Sequence, residues 1–264
     1  MYITNRPEVA KIASNAGVDR IFIDLETIGK QERQGGMDTV KSHHTIADIN
    51  VIRKAFDGEL LVRSNHIYPG SREEIDAIVA GGADIIMLPY FKTVNEAARF
   101  IDYVNGRTKV NLLVETAEAV ENLDAILKLE GIDEIHIGLN DLHLSYGMKF
   151  MFELLADGTV ERLGRKILAA GIPFGFGGIA RLGMGILPAE WIIKEHYRLG
   201  STCAILSRSF CNTDIITDLR DINEVFMSGM TEIRNLEKDV QWHLDYFRNN
   251  TAKVSEAVDK IINR

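Results

Sequence analysis

Val110-Asn111-Leu112-Leu113-Val114-Glu115-Thr116 and Ile135-His136-Ile137-Gly138-Leu139-Asn140-Asp141-Leu142 are the two stretches on which the reading of this chain turns. Each is a short apolar run with an acid just past its end, the pattern of a strand buried on both faces of a parallel sheet. Acids at the ends of neighbouring parallel strands converge in space, so Glu115 and Asp141 form a candidate pair of ligands. With no thiolate or paired imidazole beside them, an oxygen-only site suits a hard divalent ion such as Mg²⁺ or Mn²⁺ rather than zinc.

Outward from this pair the same rhythm repeats. Apolar runs at 1–3, 20–24, 60–63, 84–88, 110–114, 134–137, 173–176 and 203–206 alternate with helical patterns, which is the sign of repeated βα units. Eight strands close a (β/α)₈ barrel, and a chain of 264 residues has the length for one. An open doubly wound sheet has the same spacing. Ser71 with Glu74 and Thr93 with Glu96 have the capping-box spelling ahead of apolar-periodic segments. Gly17, Gly58, Gly81-Gly82, Gly106, Gly131, Gly171 and Gly200 each precede a strand, where a helix C-terminus needs a residue free to turn left-handed.

Two segments depart from the rhythm. Residues 25–43 make a long polar stretch around Gly35-Gly36, read as a candidate lid. The barrel is expected over 1–215, and 216–264 reads as a helical extension. In it, Leu236, Val240, His243, Leu244 and Phe247 line one face, continued by Val254, Ala257, Val258, Ile261 and Ile262. So much apolar surface must be buried, on the chain's own barrel or on a neighbouring subunit, and a homo-oligomer is the expectation.

The net charge of −8 leaves no basic footprint, so nucleic acid and anionic membranes are excluded as partners and a small molecule is expected. Cys203 and Cys211 are too few for a disulfide framework. No apolar stretch approaches the roughly 20 residues of a membrane helix, and the first residues lack a signal-peptide pattern. A cytoplasmic location is expected.

Active sites of such barrels lie at the C-terminal ends of the strands. Asp24 and Glu26 follow Ile21-Phe22-Ile23, Arg63 follows Leu60-Leu61-Val62, Glu115 follows Val114, and Asp141 follows Gly138. A network of structural salt bridges is the alternative explanation. Asp24-Leu25-Glu26, Leu61-Val62-Arg63, Gly82-Ala83-Asp84 leading to Met87-Leu88-Pro89, Val114-Glu115-Thr116 and Gly138-Leu139-Asn140-Asp141-Leu142 stand in an order and spacing that resembles the HpcH/HpaI aldolase and citrate lyase β-subunit family over roughly residues 1–210. The resemblance implies a (β/α)₈ barrel of the phosphoenolpyruvate/pyruvate superfamily that uses Mg²⁺ or a similar ion, Mn²⁺ or Co²⁺, to make or break carbon–carbon bonds through an enolate. It implies oligomers with exchanged C-terminal helices as well.

Carried over by position, Glu115 and Asp141 resemble the metal ligands and Arg63 the arginine that neutralises the enolate oxygen. Asp24 and Glu26 resemble the acids that orient water and arginine around the metal. The amides of Gly138, Leu139 and Asn140 are candidates for the substrate carboxylate. A histidine follows the second-strand acid in the 2-keto-acid aldolase branch, but Thr27 stands there in this chain, so His44, with His43 and His66, is a candidate substitute. Gly175-Phe176-Gly177-Gly178 and Ser207-Arg208-Ser209, after the seventh and eighth strands, form a candidate anion site centred on Arg208. The expected reaction is retro-aldol cleavage of a 2-keto-4-hydroxy acid to pyruvate, or a related keto acid, and an aldehyde. The alternatives are an acyl-CoA lyase of the citrate lyase type, towards which the Asp24-Leu25-Glu26 spelling leans while Tyr90 replaces a common lysine, and a non-catalytic barrel that keeps metal and keto acid.

Overall fold

All eight strands form and close on themselves. The computed structural model describes residues 1–29, 43–240 and 245–263. The candidate lid falls largely on 30–42 and so lies outside the described residues, as do His243 and Leu244. Strands β1 (Tyr2–Ile3), β2 (Arg20–Asp24), β3 (Glu59–Arg63), β4 (Ile85–Leu88), β5 (Lys109–Val114), β6 (Glu134–Ile137), β7 (Phe174–Ile179) and β8 (Cys203–Leu206) pair in parallel in chain order, and Tyr2 opposite Leu206 closes the barrel. The first-half helices are α1 (Pro7–Asn15), α2 (Ile46–Ala55), α3 (Ser71–Ala80), α4 (Val94–Val104), α5 (Ala117–Glu121) and α6 (Leu123–Ile126). The second half has α7 (Leu139–Ser145), α8 (Glu153–Ala156), α9 (Thr159–Ala169), α10 (Ala189–Leu199), α11 (Leu219–Val240) and α12 (Asp245–Ile262).

Strand alternation sorts side chains into two cores. Ile21, Ile23, Leu60, Val62, Leu112 and Val114 point outward into the layer under the helices, whereas Met1, Phe22, Leu61, Ile85, Met87 and Leu113 fill the barrel itself. The same alternation turns Asp24 and Arg63 inward above that plug, because Asp24 pairs with Arg63 across β2 and β3.

Three local expectations need correction. The box at Thr93 and Glu96 forms, but that at Ser71 and Glu74 does not: Gly70 precedes α3, the Ser71 hydroxyl accepts from the Tyr68 amide, and Glu74 binds Asn65 instead. Of the predicted helix-ending glycines, Gly58 and Gly81 are not left-handed. Strand β7 runs to Ile179 through a bulge between Gly175 and Gly178, so the glycines lie within the strand rather than beyond it. The C-terminal segment packs on this chain's own barrel. Helix α11 lies on α1 and α10 and buries Ile222, Phe226, Met230 and Ile233, while α12 lies on α8 and α10. Asn250 of α12 donates to Trp191 O at 3.0 Å and to Glu195 Oε1 at 2.8 Å. No helix among the described residues is long and apolar enough to cross a membrane.

Candidate active site

Arg63 is the centre of the cluster at the C-terminal mouth of the barrel. Its Nε and Nη2 donate to the two oxygens of Asp24, each at 2.9 Å, and Nη2 stands 3.4 Å from Glu26 Oε2. Beneath it the Phe22 ring centroid lies 5.5 Å from the guanidinium carbon. Burial works against the guanidinium charge, yet Asp24, Glu26 and Glu115 outweigh it and raise the Arg63 pKa above its ordinary value. The cation is thereby fixed in position and protonation.

Glu115 leaves the end of β5 and is held from two sides. The Tyr90 amide donates to its Oε1 at 2.9 Å, from a backbone at φ +46 that a residue with a Cβ adopts only at a cost. On the other side Gly138 leaves room: a Cβ there would stand 2.8 Å from both Cβ and Oε2 of Glu115. The next residue, Thr116, caps α5 by accepting from the Ala119 amide and donates its hydroxyl to Phe91 O at 2.8 Å. Asp141 enters from the first turn of α7. Glu115 and Asp141 are 3% and 8% exposed, and burial, then Asp141, then Glu26 push the Glu115 carboxyl well above the usual carboxylate range, against Arg63 and the Tyr90 amide.

The cluster therefore unites Asp24, Glu26, Arg63, Glu115 and Asp141. The donors that face one another are oxygens, and among the described residues no group of three or more histidine, cysteine, aspartate or glutamate side chains has the arrangement of a complete metal cage. A pair of carboxylates suits an ion that keeps other oxygen ligands, as Mg²⁺ does, and among the described residues four buried acids gather around one guanidinium. Glu115 and Asp141 are the residues that would hold such an ion.

The histidines divide. His43 is exposed. His66 acts electrostatically on Glu74 of α3 and Glu96 of α4, and its buried Nδ1 is without a hydrogen-bond partner. His44 does reach the cluster, but its Nδ1 accepts the Asp24 amide at 3.0 Å. A neutral ring in that bond carries its proton on Nε2 and is a donor, not the base that the missing histidine would supply. Thr27 turns its hydroxyl to Asn65 Oδ1 at 3.4 Å, into an open cleft of about 590 Å³ lined by Leu25, His44, Tyr68 and Glu74.

The anion site after β7 and β8 is less open than expected. A Cβ on Gly175 would meet Cys203 O at 2.5 Å, and one on Gly177 would meet Leu139 at 2.8 Å, so these glycines serve close packing. The amides of Ser207, Ser209, Phe210 and Cys211 are bonded within the chain, and Arg208 is half-buried beside them. Gly138, Leu139 and Asn140 open α7 next to Glu115, with Leu139 buried and the other two partly accessible. Sequence reasoning missed the Tyr90 amide, Asn65 and Glu74. Only Asn65, two residues beyond Arg63, had a position that hinted at a role.

The comparisons with known proteins agree with this fold. A profile of the HpcH/HpaI aldolase/citrate lyase family matches residues 2–176. A 4-hydroxy-4-methyl-2-oxoglutarate aldolase of Chaetomium globosum is 25% identical over 198 residues, 66% of this chain and 72% of that protein. A 4-hydroxy-2-oxovalerate aldolase of Novosphingobium aromaticivorans is 26% identical over 200 residues, 64% of this chain and 71% of that protein. The crystal structure of an HpcH/HpaI aldolase from Desulfitobacterium hafniense superposes with a TM-score of 0.63 at 17% identity, covering 84% of this chain and 92% of that one, which supports the fold. Strand order, the ordered acids at the barrel mouth and the profile match converge: the chain belongs to the HpcH/HpaI aldolase/citrate lyase family and is a carbon–carbon lyase.

Proposed function

We propose that the protein is a divalent-metal-dependent aldolase that cleaves a 2-keto-4-hydroxy acid to pyruvate, or a close relative, and an aldehyde. The observation that carries the reading is the buried pair at the barrel mouth, in which Glu115 and Asp141 repel each other beside the fixed Arg63 guanidinium. A Mg²⁺, Mn²⁺ or Co²⁺ ion bound between the two carboxylates would polarise the keto oxygen and carboxylate of the substrate as a Lewis acid.

The residues of the chain supply the rest. Arg63, locked by Asp24, presents a guanidinium whose geometry needs no reorganisation when negative charge gathers on the enolate oxygen. Glu26 is the carboxylate outside the ligand pair and outside the two-pronged Asp24 clamp, and in this reading it takes the proton of the C4 hydroxyl. The electrons of that O–H bond form the aldehyde carbonyl, the C3–C4 bond breaks, its pair becomes the enolate, and Glu26 returns its proton to the enolate carbon to give pyruvate. His44 contributes as a hydrogen-bond donor. Gly138, Leu139 and Asn140 are assigned to the substrate carboxylate, and Arg208 to a second anionic group of larger substrates.

The test is proton exchange at the methyl group of pyruvate in D₂O, followed by NMR. Exchange that requires Mg²⁺, Mn²⁺ or Co²⁺ and disappears in Glu26→Gln is the expected result. No exchange with any of the three ions removes the aldolase reading. A homo-oligomer and a cytoplasmic location belong to the same proposal, the first checked by light scattering and the second by fractionation.

A further inference from the structure

The geometry points to Asn65 and Glu74 as positioning residues of this lyase, a strap that holds from behind the turn carrying Glu26. The inference rests on the proposed reading of Glu26. Asn65 Oδ1 accepts the amides of Thr27 and Ile28, both at 2.9 Å, and the Thr27 hydroxyl approaches the same atom. Behind it, Glu74 Oε1 accepts the Asn65 side-chain Nδ2 at 2.9 Å and the Asn65 amide at 3.2 Å. These bonds fix the orientation of the Asn65 amide, since a flip would set its NH₂ against two N–H donors and its oxygen against a carboxyl.

The rest of the turn is tied as well. The Glu26 amide donates to Asp24 Oδ1 at 3.2 Å, and the Leu25 amide to Arg63 O at 2.9 Å. Such a harness has a physical reason. The Glu26 and Glu115 carboxylates repel each other, so a loose turn would swing the Glu26 carboxylate away from the mouth. Arg63, 3.4 Å from Glu26 and engaged at 2.9 Å by Asp24, holds Glu26 less closely than it holds Asp24. The strap reaches Glu26 only through backbone amides, and Glu74 needs to be no more than an acceptor; burial already pushes its carboxyl upwards, with the Asn65 donors acting the other way. A glutamine in its place keeps the oxygen that Asn65 uses.

The experiment compares Asn65→Ala, Glu74→Ala and Glu74→Gln with the wild type in three measurements. These are hydrogen–deuterium exchange of the Thr27 and Ile28 amides, calorimetric Mn²⁺ binding, and kcat and KM for pyruvate methyl exchange. Asn65→Ala and Glu74→Ala are expected to speed exchange of both amides and to lower kcat by roughly 10–100-fold, with KM and Mn²⁺ affinity held, while Glu74→Gln behaves as wild type. Unchanged amide exchange in Asn65→Ala overturns the inference. So does a Glu74→Gln as damaged as Glu74→Ala, or a loss of Mn²⁺ affinity in step with kcat, which is the mark of a merely structural role. A wild type without pyruvate exchange sinks the aldolase reading and the catalytic half of this inference with it, whereas the amide exchange decides the strap by itself.

Discussion

The two ends of the barrel interior both carry charge, but they are built to opposite rules. At the N-terminal end Arg20 donates to Glu134 at 3.0 and 3.1 Å and to Glu59 at 2.8 Å, and Lys109 reaches Glu59 at 2.6 Å. Two cations meet two acids, so the charge closes on itself. At the C-terminal end Asp24, Glu26, Glu115 and Asp141 surround Arg63, and the acids raise one another's cost. Both sets bracket the same apolar plug of Phe22, Leu61, Ile85 and Leu113. A balanced network stabilises without inviting a ligand, while buried acids that raise one another's cost are the expected surroundings of a bound cation.

The hardest test of this contrast is to remove one acid from the C-terminal end. Glu115→Gln or Asp141→Asn is expected to lower pyruvate exchange by more than about 100-fold and to abolish tight Mn²⁺ binding. The metal-free variants should melt at or above the wild-type temperature, because a repulsion is lost with the charge. A variant that melts lower and keeps its Mn²⁺ affinity would mean that this end too is a structural network. Gly138→Ala probes the same site without touching a charge. Its methyl would stand 2.8 Å from Glu115 Oε2, so the carboxylate must move. We expect Mn²⁺ affinity to fall by roughly 10-fold or more with the fold retained, measured by calorimetry and circular dichroism; full affinity would show that Glu115 does not bind through that oxygen.

How much of this was legible in sequence depends on the range of the forces involved. The strands were readable because a parallel strand covered on both faces is a continuous apolar run, and a carboxylate that ends such a run stands out. β7 was cut short because Gly177-Gly178 carry no apolar signal, and the bulge depends on β8 and Leu139. Glu74 was assigned to a cap because the spacing to Ser71 is local, whereas Asn65, its actual partner, arrives from the end of a different element. Among the histidines the sequence could name candidates but not their direction. Only the fold turns His44 onto the Asp24 amide and sets His66 near Glu96. The Tyr90 amide was invisible, since a backbone donor has no spelling.

Between the two ends lies His136 on β6, and it gives the comparison a pH axis. Burial above all, then the nearby N-terminal amine and both Arg20 and Arg63, lower its pKa to about 4, although its Nε2 lies 3.2 Å from Gly177 O. The folded state thus stays neutral where the unfolded chain, near 6.5, takes up a proton. Its contribution to stability is complete above pH 6.5 and is lost as the pH falls towards 4, at up to about 1.4 kcal/mol per pH unit. Urea titrations of His136→Gln should show a shallower decline over that window than the wild type. Equal slopes would mean that His136 is protonated in the fold and that the interior tolerates the charge.

The smallest effect is expected from the balanced end. In Glu59 the hydrogen bond from Lys109, with help from Arg20, holds the carboxyl below its usual range against a modest burial cost. A depressed carboxylate stabilises the fold above the unfolded value and loses that contribution as the pH drops through the folded one. The side chain is 39% exposed, so solvent screens the pair, and Glu59→Gln should cost no more than about 1 kcal/mol at neutral pH. Arg20 is not stranded by the change, because Glu134 still takes its Nη1 with both oxygens. Pyruvate exchange and Mn²⁺ affinity should remain at wild-type values, since the apolar plug separates the two ends. If Glu59→Gln shifted Mn²⁺ affinity instead, the plug would be transmitting charge from one mouth to the other, and the division of the barrel into a structural and a functional end would fail.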